Sequence, residues 1–207
     1  MTHVDLYFQV VGEAVPLDHG FALYSAICKA TEQEPSTSWL HDAEGVGLIP
    51  IRGTPAAEHR LLLNRTARFG LRLPAQDIPK ALVLAGKRLR IGDLLIRAGA
   101  TTAEALKPSA TLYARIVTTR NGEDPERFDA EIARQLAAIS VRGRVVRGDR
   151  RIIRVHDKKV VGHELLVTEL TAEESICLQE QGVGGRRKMG CGVFLPTDVG
   201  VIAKRHR

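Results

Sequence analysis

Twice along these 207 residues the hydrophobic period changes in the same order. An alternating stretch comes first, then a helical period, then two extended stretches, a second helical period and a last extended stretch. In the first pass Val4, Leu6, Phe8 and Val10 alternate with Asp5, Tyr7, Gln9 and Val11, the period of two that a strand requires. Pro16 and Asp18 open a helix in which Phe21, Tyr24, Ile27 and Cys28 recur at helical spacing, with Asp18 as its expected cap. Residues 31–38, with Pro35, read as a loop. Residues 45–52 and 59–64 read as short strands, and 68–73 continues extended. Ile78, Leu82 and Val83 give 74–85 a helical spacing that Gly86 stops, and 87–97 is again strand-like.

The second pass starts with β-branched 111–119, bounded by Asn121-Gly122. An amphipathic helix over 125–140 follows, with Phe128, Ile132, Leu136 and Ile139 on one face. Residues 141–170 are strand-rich, with hairpin turns expected at Gly148-Asp149 and near Asp157-Lys158. Thr171 and Glu174 are spaced as a capping box for a helix that ends near Gly182, and 190–196 closes as a strand. Each pass is strand, helix, strand, strand, helix, strand. The expected fold is therefore α+β, a tandem of ferredoxin-like (RRM-like) βαββαβ domains, the second with one extra hairpin. The domains are expected at 1–107 and 108–207, joined at Lys107-Pro108, with a glycine-rich loop near the C-terminus. Element order repeats but sequence does not.

Composition bounds the function. Apolar residues at 44% and charged residues at 26% are ordinary globular usage, which argues against disorder. Cys28, Cys177 and Cys191 form no C-x-x-C pair, so neither a disulfide framework nor a cysteine zinc site is expected. The N-terminus carries Asp5 and no basic leader, and no uncharged apolar run is long enough to span a bilayer. These features imply a reduced, cytoplasmic chain with no membrane contact. The net charge of +6 becomes informative only where cations cluster, and they cluster twice.

The first cluster is 182–192, where five glycines and the consecutive Arg186, Arg187 and Lys188 fall within eleven residues. Glycine lets the backbone approach a ligand, and successive N–H groups can form an anion nest. Together with the cations this points to phosphate binding rather than a merely flexible basic loop. No Gly-Lys-Ser/Thr closes it and it follows a helix, so neither a Walker nor a Rossmann loop fits. The second cluster is Arg142, Arg144, Arg147, Arg150, Arg151 and Arg154, then Lys158 and Lys159. Arg142 and Arg144 would share one strand face. This run fits a hairpin laid on a nucleic-acid backbone, and equally a solvated hairpin whose charges block edge pairing. Aromatics are only 4% of the chain, so base stacking is not expected.

The seven histidines form no H-x-x-x-H or H-E-x-x-H pattern, so no metal site is expected. His3, His156, His163 and His206 read as surface residues, and His59 opens a strand. His19 lies in the first turn of the first helix. His41 follows Trp39-Leu40 in a polar turn after it.

These pieces together resemble a known family. A basic glycine-rich loop between the last helix and last strand of paired ferredoxin-like domains marks the RAMP superfamily. The chain resembles its CRISPR-associated endoribonucleases that process precursor CRISPR RNA (Cas family six). The matching segments are Leu6-Tyr-Phe-Gln-Val, Pro16-Leu-Asp-His-Gly-Phe-Ala-Leu-Tyr-Ser-Ala-Ile, Trp39-Leu-His41, Gly47-Leu-Ile-Pro-Ile-Arg-Gly53, Leu82-Val-Leu-Ala-Gly-Lys87 and Gln179 through Pro196.

The resemblance implies cleavage of repeat RNA without metal or cofactor. A 2′-hydroxyl attacks the adjacent phosphate, leaving a cyclic phosphate and a 5′-hydroxyl. It implies His41 as general acid or base and Tyr24 as its helper, a task that suits imidazole at neutral pH. Family members often add a lysine near the histidine. None follows His41 shortly here, so Lys29 or Arg52 is the expected cation, and His19 is a rival for the acid–base role. Arg142, Arg144, Arg147, Arg150, Arg151, Arg154, Gly184, Gly185, Arg186, Arg187 and Lys188 are expected to hold RNA. The implied partners are a repeat stem-loop, the mature guide RNA and other subunits of a surveillance complex. The competing readings are a non-catalytic guide-RNA-binding subunit and a nucleotide sensor.

Overall fold

A computed structural model describes residues 2–33 and 37–197. Pro35 and His206 lie outside the described residues. The chain divides into two compact units, one of Met1–Ala105 with Lys188–Gly190 and one of Leu106–Arg187 with Cys191–Arg207. The second expected domain thus gives up Lys188–Gly190 to the first.

Unit 1 begins with β1 (His3–Val11), β2 (Ala14–Pro16) and α1 (Gly20–Ala30). Two short strands, β3 (Glu32–Gln33) and β4 (Thr37–Ser38), and a single helical turn, α2 (Trp39–Asp42), follow. Then come β5 (Gly47–Ile49), β6 (Thr54–Ala56), β7 (Arg60–Leu62), β8 (Arg68–Pro74), α3 (Ile78–Leu82), β9 (Arg88–Ile91) and β10 (Leu94–Ala105). The main sheet runs β5-β8-β1-β10-β9, antiparallel throughout. This is the ferredoxin-like order with β9 added at one edge.

The alternation in β1 decides its two faces. Leu6 pairs with Leu71 and Phe8 with Phe69, whose rings stack at 5.0 Å, and these side chains pack with Leu23 and Ile27 of α1. On the opposite face Asp5 stands against Arg72, which is fully buried. Arg72 Nε and Nη2 donate to the two Asp5 carboxylate oxygens at 2.7 and 2.9 Å, the forked geometry that lets a guanidinium stay charged inside a protein.

Three local expectations change. His19, not Asp18, is the N-cap of α1, and no side chain caps that helix. The strand expected over 87–97 is a hairpin, because Gly92 takes φ +65° and turns the chain in two residues between Ile91 and Leu94. The strand expected over 59–64 belongs to a separate small sheet, β2-β7-β6.

Unit 2 holds β11 (Leu112–Val117), α4 (Pro125–Ala138), β12 (Arg144–Val155), β13 (Lys158–Thr168), α5 (Ala172–Gln181) and β14 (Leu195–Pro196). Its sheet order is β12-β13-β11-β14, the same plan again. Phe128, Ile132 and Leu136 form the buried stripe of α4 and pack on Leu165 and Val167 of β13. The capping box of α5 is present: Thr171 Oγ1 accepts from the Glu174 amide at 3.2 Å, and Glu174 accepts from the Thr171 amide at 2.9 Å. The Arg142 amide also donates to Glu174, at 2.8 Å. These main-chain donors, Thr171 first, hold the Glu174 carboxyl below the usual carboxylate range.

No extra hairpin forms at Gly148-Asp149. Those two residues are a β-bulge within one long strand, where the register jumps between Arg147 and Arg150. His163, expected at the surface, is buried, with Nε2 on the Gly122 carbonyl at 3.0 Å and its ring 4.7 Å from Phe128. Among the described residues, no helix is long and apolar enough to cross a membrane.

Candidate active site and nucleic-acid surface

Tyr24 and His41 meet in unit 1. Tyr24 stands in the middle of α1 and His41 on α2, and Tyr24 Oη lies 3.2 Å from His41 Nδ1. Helical spacing also brings Cys28 onto the Tyr24 side of α1, four residues on. Burial first, and then the hydrogen bond with Cys28, push the Tyr24 phenol up to about 12. The phenol therefore keeps its proton at neutral pH. Donating that proton to Nδ1 leaves Nε2 as an N–H. Accepting a proton from Nδ1 leaves Nε2 a bare lone pair. In both arrangements Nε2 is the nitrogen available for chemistry, once as acid and once as base. His41 is exposed, and among the described residues Nε2 has no hydrogen-bond partner.

His19 cannot play this part. It is buried, its Nδ1 lies 2.9 Å from the Pro16 carbonyl, and its Nε2 accepts the Ile51 amide proton at 3.0 Å. Nδ1 thus ties the start of α1 to the end of β2 and Nε2 ties it to the segment after β5, so the ring is a structural brace.

Lys29 is not brought to the pair. It is exposed, and five residues along a helix place it about 140° around the axis from Tyr24. Arg52 is exposed beyond Ile51. The cation at this site comes from elsewhere: Lys188 Nζ donates to the His41 main-chain carbonyl at 2.6 Å. Sequence reasoning assigned Lys188 to the phosphate loop. A partner 147 residues away leaves no local signal.

Three glycine amides of the loop are not open to the expected nest, because they are already used: Gly184 donates to Gln135 Oε1 at 2.6 Å, Gly185 to the Thr118 carbonyl at 2.8 Å and Gly192 to the Ile116 carbonyl at 2.8 Å. The glycines answer to packing instead. Gly184 has φ +80°, and a Cβ there would press on Val117 and the Thr118 carbonyl. Arg187 Nη2 donates to the Glu180 carbonyl at 2.8 Å, which leaves Arg186 as the exposed cation of the loop. Arg186 and Arg120 line a cleft of about 560 Å³ in unit 2 with Thr118, Gln135 and Gly185.

The arginine run does not act as one face. Arg142 precedes β12, so it shares no strand face with Arg144. The bulge brings Arg147 and Arg150 to one face, where Arg147 pairs with Asp129 at 2.9 Å and Arg150 with Glu123 at 2.7 Å. Arg151 lies on the other face and is bound by Glu164, with Nε at 2.8 Å. Arg147, Arg150 and Arg151 are therefore already matched to carboxylates. Arg144 and Arg154 are exposed at the two ends of β12.

The fold and the site define a protein of two ferredoxin-like units in which a tyrosine backs an exposed histidine. Comparison with known proteins agrees. Residues 4–199 match the Cas6 family, described as Cas6 Crispr. The CRISPR-associated endonuclease Cas6 of Myxococcus xanthus (strain DK1622) is 39% identical over 206 residues, covering all of this chain and 86% of that protein. Among solved structures, "An RAMP protein binding different RNA substrates" superposes with a TM-score of 0.67 at 14% identity, covering 96% of this chain and all of that one. A Cas6-related protein from Pyrococcus furiosus gives 0.63 at 13% identity, covering 96% of this chain and 99% of that one. The chain belongs to the Cas6 family of CRISPR-associated endoribonucleases.

Proposed function

We propose that this protein binds CRISPR repeat RNA and cuts it without a metal ion. The supporting observation is the Tyr24–His41 contact, which engages Nδ1 of an exposed imidazole and leaves Nε2 for the substrate. In the step, the substrate 2′-oxygen forms a bond to the adjacent phosphorus while the bond from phosphorus to the 5′-oxygen breaks. The 2′-hydroxyl loses a proton and the 5′-oxygen gains one, so the products are a cyclic phosphate and a 5′-hydroxyl. His41 Nε2 exchanges one of those protons. Tyr24 holds the ring and its tautomer. Arg186 and the exposed arginines of β12 take phosphates of the RNA, which suits duplex recognition by shape and backbone rather than by stacking. The mature guide RNA stays bound in this reading, and other subunits of a surveillance complex assemble on it. Three free thiols fit a reducing compartment such as the cytoplasm.

The test is end-labelled repeat RNA incubated in EDTA with the parent protein and with His41→Ala. A single cut with a cyclic-phosphate end, lost in the variant while binding persists, supports the reading. Tight binding with no cut by the parent would replace it with a non-catalytic guide-RNA subunit.

A further inference from the structure

The turn that carries His41 cannot hold its own shape. α2 is four residues long, far below the length at which a helix persists alone. Its geometry is closed by the Ala43 amide donating to the Trp39 carbonyl at 3.0 Å. The His41 carbonyl belongs to the last turn, where a helix lacks internal donors and favours a cation. The Lys188 ammonium supplies that donor at 2.6 Å.

The lysine is not a side chain that merely passes by. The segment is held in unit 1 at the two residues that follow the lysine. Gly20, at the start of α1, has no room for a Cβ because the Met189 carbonyl oxygen occupies that space. Gly190, at φ +85°, lies against Pro50. Lys188 thus leaves a backbone fixed on α1 and on the segment after β5, and its ammonium ends on the residue that carries the imidazole.

We propose that Lys188 is a positioning residue for His41, acting through the His41 main chain, and that it is not one of the loop's phosphate ligands. This rests on His41 being the acid–base residue. The imidazole is then fixed twice, by Tyr24 at the ring and by Lys188 at the backbone. Errors of about 1 Å in such a group can cost on the order of a hundredfold in rate.

Three variants test it. Lys188→Met keeps the aliphatic stem and removes the donor, Lys188→Arg restores a donor, and Arg186→Ala serves as the phosphate-binding control. Cleavage is measured in single turnover at saturating repeat RNA, with affinity measured separately in the same buffer. Lys188→Met is expected to lower the rate about ten- to a hundredfold with unchanged affinity and unchanged melting temperature. Lys188→Arg should recover most of that rate. Hydrogen exchange at the Ala43 amide, read without RNA, should be faster in Lys188→Met. Weaker RNA binding with a normal rate at saturation would make Lys188 a phosphate ligand and overturn the proposal. So would unaltered exchange at Ala43. A parent protein that cuts nothing would end the nuclease reading, and the Ala43 exchange would still decide whether the lysine holds the turn.

Discussion

The two units repeat one strand order and treat their second strand in opposite ways. In unit 1 that strand is β5, three residues, all buried. In unit 2 it is β12, twelve residues, and only Ile153 is fully buried. Both are sheet edges, and an open edge invites pairing with another chain. Unit 1 meets the hazard by brevity and burial. Unit 2 meets it with arginines and a bulge. The second solution leaves a long cationic surface where the first leaves none. Unit 1 has the histidine and its braces. The comparison predicts that chemistry and binding can be damaged separately.

The largest effect should come from His41→Ala in unit 1. Loss of positioned proton transfer is expected to lower single-turnover cleavage by roughly 10²–10⁴-fold. Affinity for uncut repeat RNA should be unchanged. A parallel loss of binding would break the division between the units.

Next in size is a pair of carboxylate removals that contrast the two sheets. Arg72 has no exposed side-chain surface, whereas 47% of the Arg151 side chain is exposed. Asp5→Ala takes the carboxylate away from a buried guanidinium and should destabilise unit 1 by about 3–5 kcal/mol. Glu164→Ala returns Arg151 to water and should change unit 2 by at most about 1 kcal/mol. Denaturant unfolding of the full chain measures both. Equal losses would mean that Arg151 depends on its partner as heavily as Arg72 does.

Smaller again is the effect of single cations on RNA affinity. Removing one cation that neutralises a phosphate should reduce the slope of log affinity against log salt by about 0.7 to 0.9. Arg186→Ala and Arg144→Ala are expected to show that change. Arg150→Ala should show less, because Glu123 already neutralises its charge. A larger change for Arg150 would mean that RNA displaces the carboxylate.

Much of this architecture was legible because period and caps are local. The alternation in β1, the stripe of α4 and the Thr171–Glu174 box each state their structure within a few residues. Gly148-Asp149 misled because a bulge and a hairpin turn use the same residue types, and only the partner strand tells them apart. Gly92-Asp93 misled in the other direction, its turn hidden inside an alternating run. The loop glycines pointed to a ligand because a sequence cannot show what lies against a missing Cβ. In Gly184 it is Val117 and Thr118. Tyr24 and His41 came from family resemblance, since no periodicity joins two elements with 31–38 between them. Lys188 was noticed as a charge, and its position beside His41 needed the fold.

The smallest predicted effect, and the finest probe of unit 1, is the proton on Tyr24. Its ordinary value near 10 is raised to about 12, chiefly by burial. A raised value means that the folded state favours the neutral phenol. That contribution is fully present below pH 10 and fades as pH rises towards 12. The phenol accordingly stays protonated wherever the enzyme works, and the Tyr24–His41 bond persists on the basic side of neutrality. Tyr24→Phe should slow cleavage by about two- to twelvefold, the worth of one ordinary hydrogen bond. The rate profile of the parent should show no basic limb near pH 10. Phenolate absorbance, parent minus Tyr24→Phe, reads the ionisation directly. Ionisation near 10 would mean that burial does not protect the phenol, and the orientation of His41 would then have to rest on its main chain alone.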